Sequence, residues 1–100
     1  MQFVIIAKDH ADAAPRRKEA RQEHLDGIAA LKGQGRMLYA AALVDEAGEM
    51  NGSLIICDFP DNAALEAWLQ KEPYVVQRVW GDIDIKPCRP AALFAPAAAA

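Results

Sequence analysis

The sequence is poor in cysteine, poor in aromatic residues and free of any long apolar run. Two cysteines and two histidines occur in 100 residues, and aromatic side chains make up 7%. Cys57 and Cys88 lack metal-type spacing, which excludes a zinc ribbon or a multi-disulfide scaffold; free thiols of this kind point to a reducing cytoplasm. No cluster of histidine, cysteine and acid has the spacing of a metal site, so neither metal nor cofactor is expected. Gly33-x-Gly35 comes after a helical segment, whereas a phosphate cradle precedes one. Basic residues are not in excess, with 11 Lys and Arg against 14 Asp and Glu and a net charge of −3. That balance argues against a nucleic-acid partner. No apolar stretch approaches the ~20 residues of a membrane span. The start, MQFVIIAKDH, has no basic stretch ahead of its apolar residues and no small-residue cleavage site, and it reads as a first strand rather than a signal peptide.

What is present fits one soluble domain. Hydrophobic residues reach 53%, a figure swollen by alanine. Residues 3–7 form an apolar run and predict a strand. Asp12 is placed to cap the next helix, with Pro15 in its first turn, and Gly33 and Gly35 supply the exit near residue 32. Residues 37–44 predict a second strand, thin at its middle because of Ala40-Ala41-Ala42. A polar loop over 45–51 leads to a third strand over 53–59. Asp61 caps a second helix whose apolar face is Leu65, Trp68 and Leu69, and Pro73 is read as its end. Residues 74–79 form a link, and residues 80–86 predict a fourth strand with Trp80, Ile83 and Ile85 set against Asp82, Asp84 and Lys86. The order β-α-β-β-α-β predicts a ferredoxin-like α+β fold with a four-stranded antiparallel sheet and both helices on one face. The strands are too apolar for the other face to stay wet, so a second copy is expected to cover it. The domain is placed at 1–89. Residues 90–100 form a low-complexity, alanine-rich C-terminal tail in which Leu93 and Phe94 could dock on a neighbour and the last four alanines fray.

The first helix carries an unusual stripe. Arg17, Arg21 and His24 stand at i, i+4 and i+7 and share a face with Ile28 and Leu31, flanked by Ala20 and Leu25. Glu19, Gln22, Glu23 and Asp26 lie opposite. Cationic groups on a core-facing stripe need a partner, either an acid of the chain or a bound anion. Candidates for the first are Asp9, Glu72 or a partner subunit's acid. The helix N-terminus favours the second, and arginine would hold a carboxylate bidentately. His24 is the candidate with proton-transfer chemistry near neutral pH. A histidine there can equally be a satisfied core residue. Ser53 reads chiefly as a strand-end hydroxyl, because a serine nucleophile would need an adjacent base. Tyr39 and Tyr74 could line a pocket or pack the core. His10 is expected in an exposed loop.

The ordered set Arg17, Arg21, His24-Leu25, Gly35-Arg36-Met37-Leu38, Asp45-Glu46-Ala47-Gly48, Gly52-Ser53, Glu72-Pro73-Tyr74 and the strand over 83–87 resembles the YciI-like (YCII-domain) family across about residues 1–89. The resemblance implies a ferredoxin-like fold pairing as a dimeric α+β barrel, hence a homodimer. It also implies a site built from His24 and the acid of the acid-Pro motif, here Glu72. Two departures stand out: Glu72-Pro73 replaces the usual Asp-Pro, and Ala40-Ala41-Ala42 replaces an Ala-Gly-Pro. On this basis His24 and Glu72 are expected to act catalytically, and Arg17, Arg21, Ser53 and Tyr74 to bind substrate. The reaction expected is cofactor-independent proton transfer, an isomerisation or elimination, on a small cyclic or aromatic anion. The other readings are an anion-binding or sensing module without turnover, and a structural dimer.

Overall fold

A computed structural model of the chain describes residues 1–95. Its elements are β1 (Gln2–Asp9), α1 (Ala14–Gly33), β2 (Met37–Val44), β3 (Met50–Asp58), α2 (Asn62–Leu69), α3 (Pro73–Val76) and β4 (Trp80–Cys88), followed by one 3-10 turn (Ala92–Phe94). The four strands form one antiparallel sheet in the order β2-β3-β1-β4. This is the ferredoxin-like α+β arrangement of the dimeric α+β barrel class. No helix among the described residues is long and apolar enough to cross a membrane. Of the tail, the expected fraying of the last four alanines lies outside the described residues.

Alternation decides which side chains reach the core. Phe3, Ile5 and Ala7 of β1 and Ile55 and Cys57 of β3 are fully enclosed beneath the helices, joined by Leu65, Tyr74 and Val79. The other sheet face carries Val4, Ile6, Leu54 and Ile56 at its centre, Tyr39 on the edge strand β2 and Asp82, Asp84 and Lys86 along β4. Ile6 and Tyr39 on that face are exposed. Tyr39 therefore lines neither core nor helix-side pocket. Register shifts at Lys8/Asp9 on β1, and at Met37/Tyr39 and Leu43/Val44 on β2, mark irregularities. The first reconciles Trp80 with Ile83: the two share a face across an odd spacing because the ladder slips between them.

Several local expectations change. Asp12 does not cap α1. The N-cap is Ala13, with no side-chain bond. Asp12 lies one residue early, and its carboxylate and carbonyl instead accept from Arg16. β3 begins at Met50, three residues ahead of the expected start, because Asp45 tightens the hairpin by accepting from Ala47 N and Glu49 N while Gly48 takes φ 81°. Asp61 caps α2 as expected, accepting from Ala64 N at 2.9 Å. Pro73 does not end that helix. α2 stops at Leu69, and Pro73 opens α3, where a missing N–H costs nothing.

Candidate active site

The site lies between α1 and the β2–β3 side of the sheet. At about 100° per residue, Arg17, Ala20, His24, Ile28 and Leu31 fall within roughly 80° of arc, and these are the α1 residues turned to the sheet. Arg17, Ala20 and His24 are buried; Ile28 and Leu31 pack against the core. Arg21 and Leu25 sit to one side of that arc, which is why both are exposed rather than core-facing. Both still line a cavity of about 120 Å³, together with His24, Arg17, Ser53, Tyr74 and the three alanines of β2. Ala40 pairs with Ile55 and Ala42 with Ser53, so β2 gives the cavity only methyl groups, beside Ser53 and Ile55 of β3.

Glu72 and His24 meet deep in this region, 3% and 7% exposed. His24 Nδ1 bonds Glu72 Oε1, and Glu72 Oε2 accepts from Tyr74 N at 2.5 Å. One carboxylate thus caps α3 and holds the imidazole. An ionised carboxylate only accepts, so Nδ1 carries the proton of the neutral ring and Nε2 is left as its basic nitrogen. The Tyr74 ring stacks on the imidazole with centroids 3.9 Å apart and planes 9° apart, and Trp80 meets it edge-on at 6.0 Å. The ring is therefore fixed by one hydrogen bond and two aromatic neighbours. The Glu72 side chain is long enough to reach His24 from the position before Pro73.

Arg17 takes the first of the two partnerships open to it. Its Nε donates to Asp9 Oδ2 at 2.8 Å, and Nη2 donates to Ser53 Oγ at 2.8 Å and to the Gly52 carbonyl at 2.5 Å. Its guanidinium carbon lies 4.8 Å from the Tyr74 ring centroid, and Nη1 donates weakly to the Tyr74 hydroxyl at 3.5 Å. Gly52 is obligatory here, because a Cβ would stand 2.5 Å from the Ala7 carbonyl oxygen. Ser53 Oγ also accepts from Trp80 Nε1 at 3.1 Å. Burial pushes the Tyr74 hydroxyl above the usual tyrosine range, with the Arg17 charge partly opposing it. Among the described residues Arg21 makes no ion pair, so its charge remains available at the cavity rim. None of the described residues forms a group of three or more His, Cys, Asp or Glu side chains placed to hold a metal.

All six expected site residues, His24, Glu72, Arg17, Arg21, Ser53 and Tyr74, thus gather within one neighbourhood, five of them buried and Arg21 at the edge. Trp80 belongs with them, although the sequence pattern marks it only as a strand residue; its signal, an indole N–H needing a buried acceptor, becomes visible once β4 is placed beside β1. Asp9, one of several acids open to Arg17 in the sequence, is the one that pairs with it. His10 stays exposed and away from the site, its ring near Gly81.

A model of the YCII-related domain matches residues 1–89. Protein YciI of Escherichia coli O6:H1 is 34% identical over 93 residues, covering 87% of this chain and 95% of that protein. An uncharacterized protein of Haemophilus influenzae is 33% identical over 94 residues with the same coverage. Among solved structures, 5-chloro-2-hydroxyhydroquinone dehydrochlorinase (TftG) of Burkholderia phenoliruptrix AC1100, in complex with 2,5-dihydroxybenzoquinone, superposes with a TM-score of 0.81 at 16% identity, covering 91% of this chain and 96% of that one. An antibiotic biosynthesis monooxygenase superposes with a TM-score of 0.51 at 16% identity, covering 90% of this chain and all of the other. At these identities the likeness is one of fold, and the fold is one that small-molecule enzymes use.

Proposed function

The chain belongs to the YCII-related domain family, and from that premise we propose that it is a cofactor-independent enzyme that moves a proton on a small cyclic or aromatic anion, by isomerisation or elimination. The observation that carries this reading is the buried His24–Glu72 pair at the wall of a cavity. Glu72 holds the Nδ1 proton, and Nε2 acts as the base and then returns the proton as the acid, a role worth typically 10²–10⁴ in rate. Arg21 at the rim attracts and orients the anionic group. Arg17, neutralised by Asp9, sets the positions of Ser53 and Tyr74. The cavity, at about 120 Å³, is close to the roughly 150 Å³ that admits a benzene ring. A substrate of one ring, with its charged group at the mouth, is the size that fits. The dehydrochlorinase of the same fold, seen with a dihydroxybenzoquinone, supports a ring substrate.

The open sheet face, with Ile6 exposed on the central strand β1 and Tyr39 on the edge strand β2, supports a homodimer in which a second copy covers it, and Leu93 and Phe94 dock on that neighbour. The free thiols Cys57 and Cys88 favour a reducing cytoplasm. A second reading, an anion sensor without turnover, is favoured by the unpaired charge of Arg21 alone.

Hydrogen–deuterium exchange at carbon, followed by proton NMR on a panel of cyclic and aromatic acids in D₂O, tests the proposal. An enzyme of this kind exchanges the acidic C–H of a bound acid. His24→Ala should abolish exchange and retain binding, while Arg21→Ala should weaken binding. Exchange that survives in His24→Ala refutes the base assignment. Binding without exchange in the wild type leaves the sensor. A monomer by sedimentation at micromolar concentration refutes the dimer.

A further inference from the structure

Ser53 is 5% exposed and lines the cavity. A serine hydroxyl has one proton to give and two lone pairs to receive with. Both lone pairs are occupied: Arg17 Nη2 donates to Oγ at 2.8 Å and Trp80 Nε1 donates at 3.1 Å. Neither donor can reverse its role, because guanidinium and indole nitrogens carry no acceptor. The Ser53 proton is therefore left over, and among the described residues it reaches no acceptor. Its cross-strand partners are both alanines, Ala7 on β1 and Ala42 on β2, so neither register neighbour carries more than a methyl.

We propose that Ser53 is a fixed hydrogen-bond donor aimed into the cavity, and that Trp80 is the positioning residue that fixes it. The ligand group it receives is an acceptor oxygen with no proton of its own, a ring carbonyl or the enolate or phenolate formed from it. This deepens the proton-transfer reading above and rests on it. A base that takes a proton from carbon next to a carbonyl sends the electron pair to that oxygen, and Ser53 donates to the oxygen on which the charge collects. Trp80 does not touch the ligand in this scheme. Its indole N–H keeps the second lone pair filled, so the hydroxyl cannot turn to accept.

Two probes separate the possibilities: 4-oxocyclohexanecarboxylate, which offers a ketone oxygen, and cyclohexanecarboxylate, which lacks it. Calorimetric titration of wild-type protein should show the keto acid binding about five- to tenfold more tightly, the worth of one net hydrogen bond. Ser53→Ala should erase that preference, so that the variant binds the keto acid no more tightly than the plain acid. Trp80→Phe, which keeps an aromatic ring against His24 and Tyr74, should reduce the preference without weakening the plain acid; a purely structural role would weaken both acids alike. Equal binding of the two acids to wild type, or a keto preference that survives in Ser53→Ala, overturns the proposal while the anion pocket stands. Failure of both acids to bind wild-type protein overturns the anion pocket and this proposal together.

Discussion

Replacing Glu72 by glutamine alters the fewest atoms for the largest expected effect. In the native site Oε1 accepts from His24 Nδ1 and Oε2 accepts from Tyr74 N, and the carboxylate is 3% exposed. An amide has one accepting oxygen and one donating nitrogen, so it can serve only one of these two donors. With the oxygen kept on Tyr74 N, the amide nitrogen donates toward Nδ1, and the neutral ring must move its proton to Nε2. With the oxygen turned to His24, two donors face each other at the start of α3 and the cap is lost. A buried polar group left unmatched costs about 1–3 kcal/mol, and a lost N-cap about 0.5–2. We expect Glu72→Gln to destabilise by about 2 kcal/mol, on the order of 10 °C in Tm for a domain of this size. Nitrogen-15 NMR of the imidazole at a pH of about 8 reports the second consequence: the Nδ1–H tautomer in wild type and the Nε2–H tautomer in the variant if the cap is kept. Glu72→Asp, which retains two accepting oxygens, is the control. A Glu72→Gln variant with wild-type Tm and an unchanged tautomer would refute the claim that this carboxylate orients the ring.

Other predictions concern neighbouring groups. Arg17→Met strands the Asp9 carboxylate, whose side chain is 6% exposed; chemical denaturation should show a loss of about 3–5 kcal/mol, most of it recovered when Asp9→Leu is added. Arg78 takes φ 59° after α3, with its carbonyl held by Arg16, so Arg78→Gly should raise stability by about 0.5–1 kcal/mol in urea melts, since glycine adopts that geometry without a Cβ penalty. Stability should also fall in alkali. Burial pushes the Cys57 thiol up to about 11 from 9.0 and raises Tyr74 as well. The unfolded chain thus gives up protons that the native state still holds. The contribution is intact below about pH 9 and is lost as pH rises through the folded values, and Cys57→Ala should flatten the decline in urea midpoint over that window.

The strands and long helix are legible in the sequence because their signals are local. Apolar runs such as residues 3–7 and the alternation over 83–86 survive without partners, and the order of elements then leaves few topologies. The boundaries that differ depend on what arrives from elsewhere in the chain. Met50-Asn51-Gly52 looks like loop, and becomes strand because Val44 and Lys8 stand opposite it. Glu72-Pro73, by contrast, is a purely local signal: it reads as a helix stop, yet the acid caps α3 and the proline opens it. The stripe on α1 is visible in the sequence, yet the buried arc is turned toward Ala20, which the sequence places only on the flank, and that turn leaves Arg21 at the rim. That displacement has a chemical consequence. Arg17, placed inward, is held by Asp9, Gly52 and Ser53, while Arg21 has no ion-pair partner among the described residues. Two arginines four residues apart, alike in sequence, are thereby divided into one held by the protein and one whose charge stands unpaired, among the described residues, at the cavity rim. A buried arginine, histidine and glutamate contradict the apolar pattern of the faces they occupy, and such conflicts between local chemistry and global position concentrate at functional sites. Trp80 shows the converse. An indole on a core-facing strand agrees with every local rule, and only the serine at the end of its N–H, brought there by strand pairing across Ala7, marks it as part of the site.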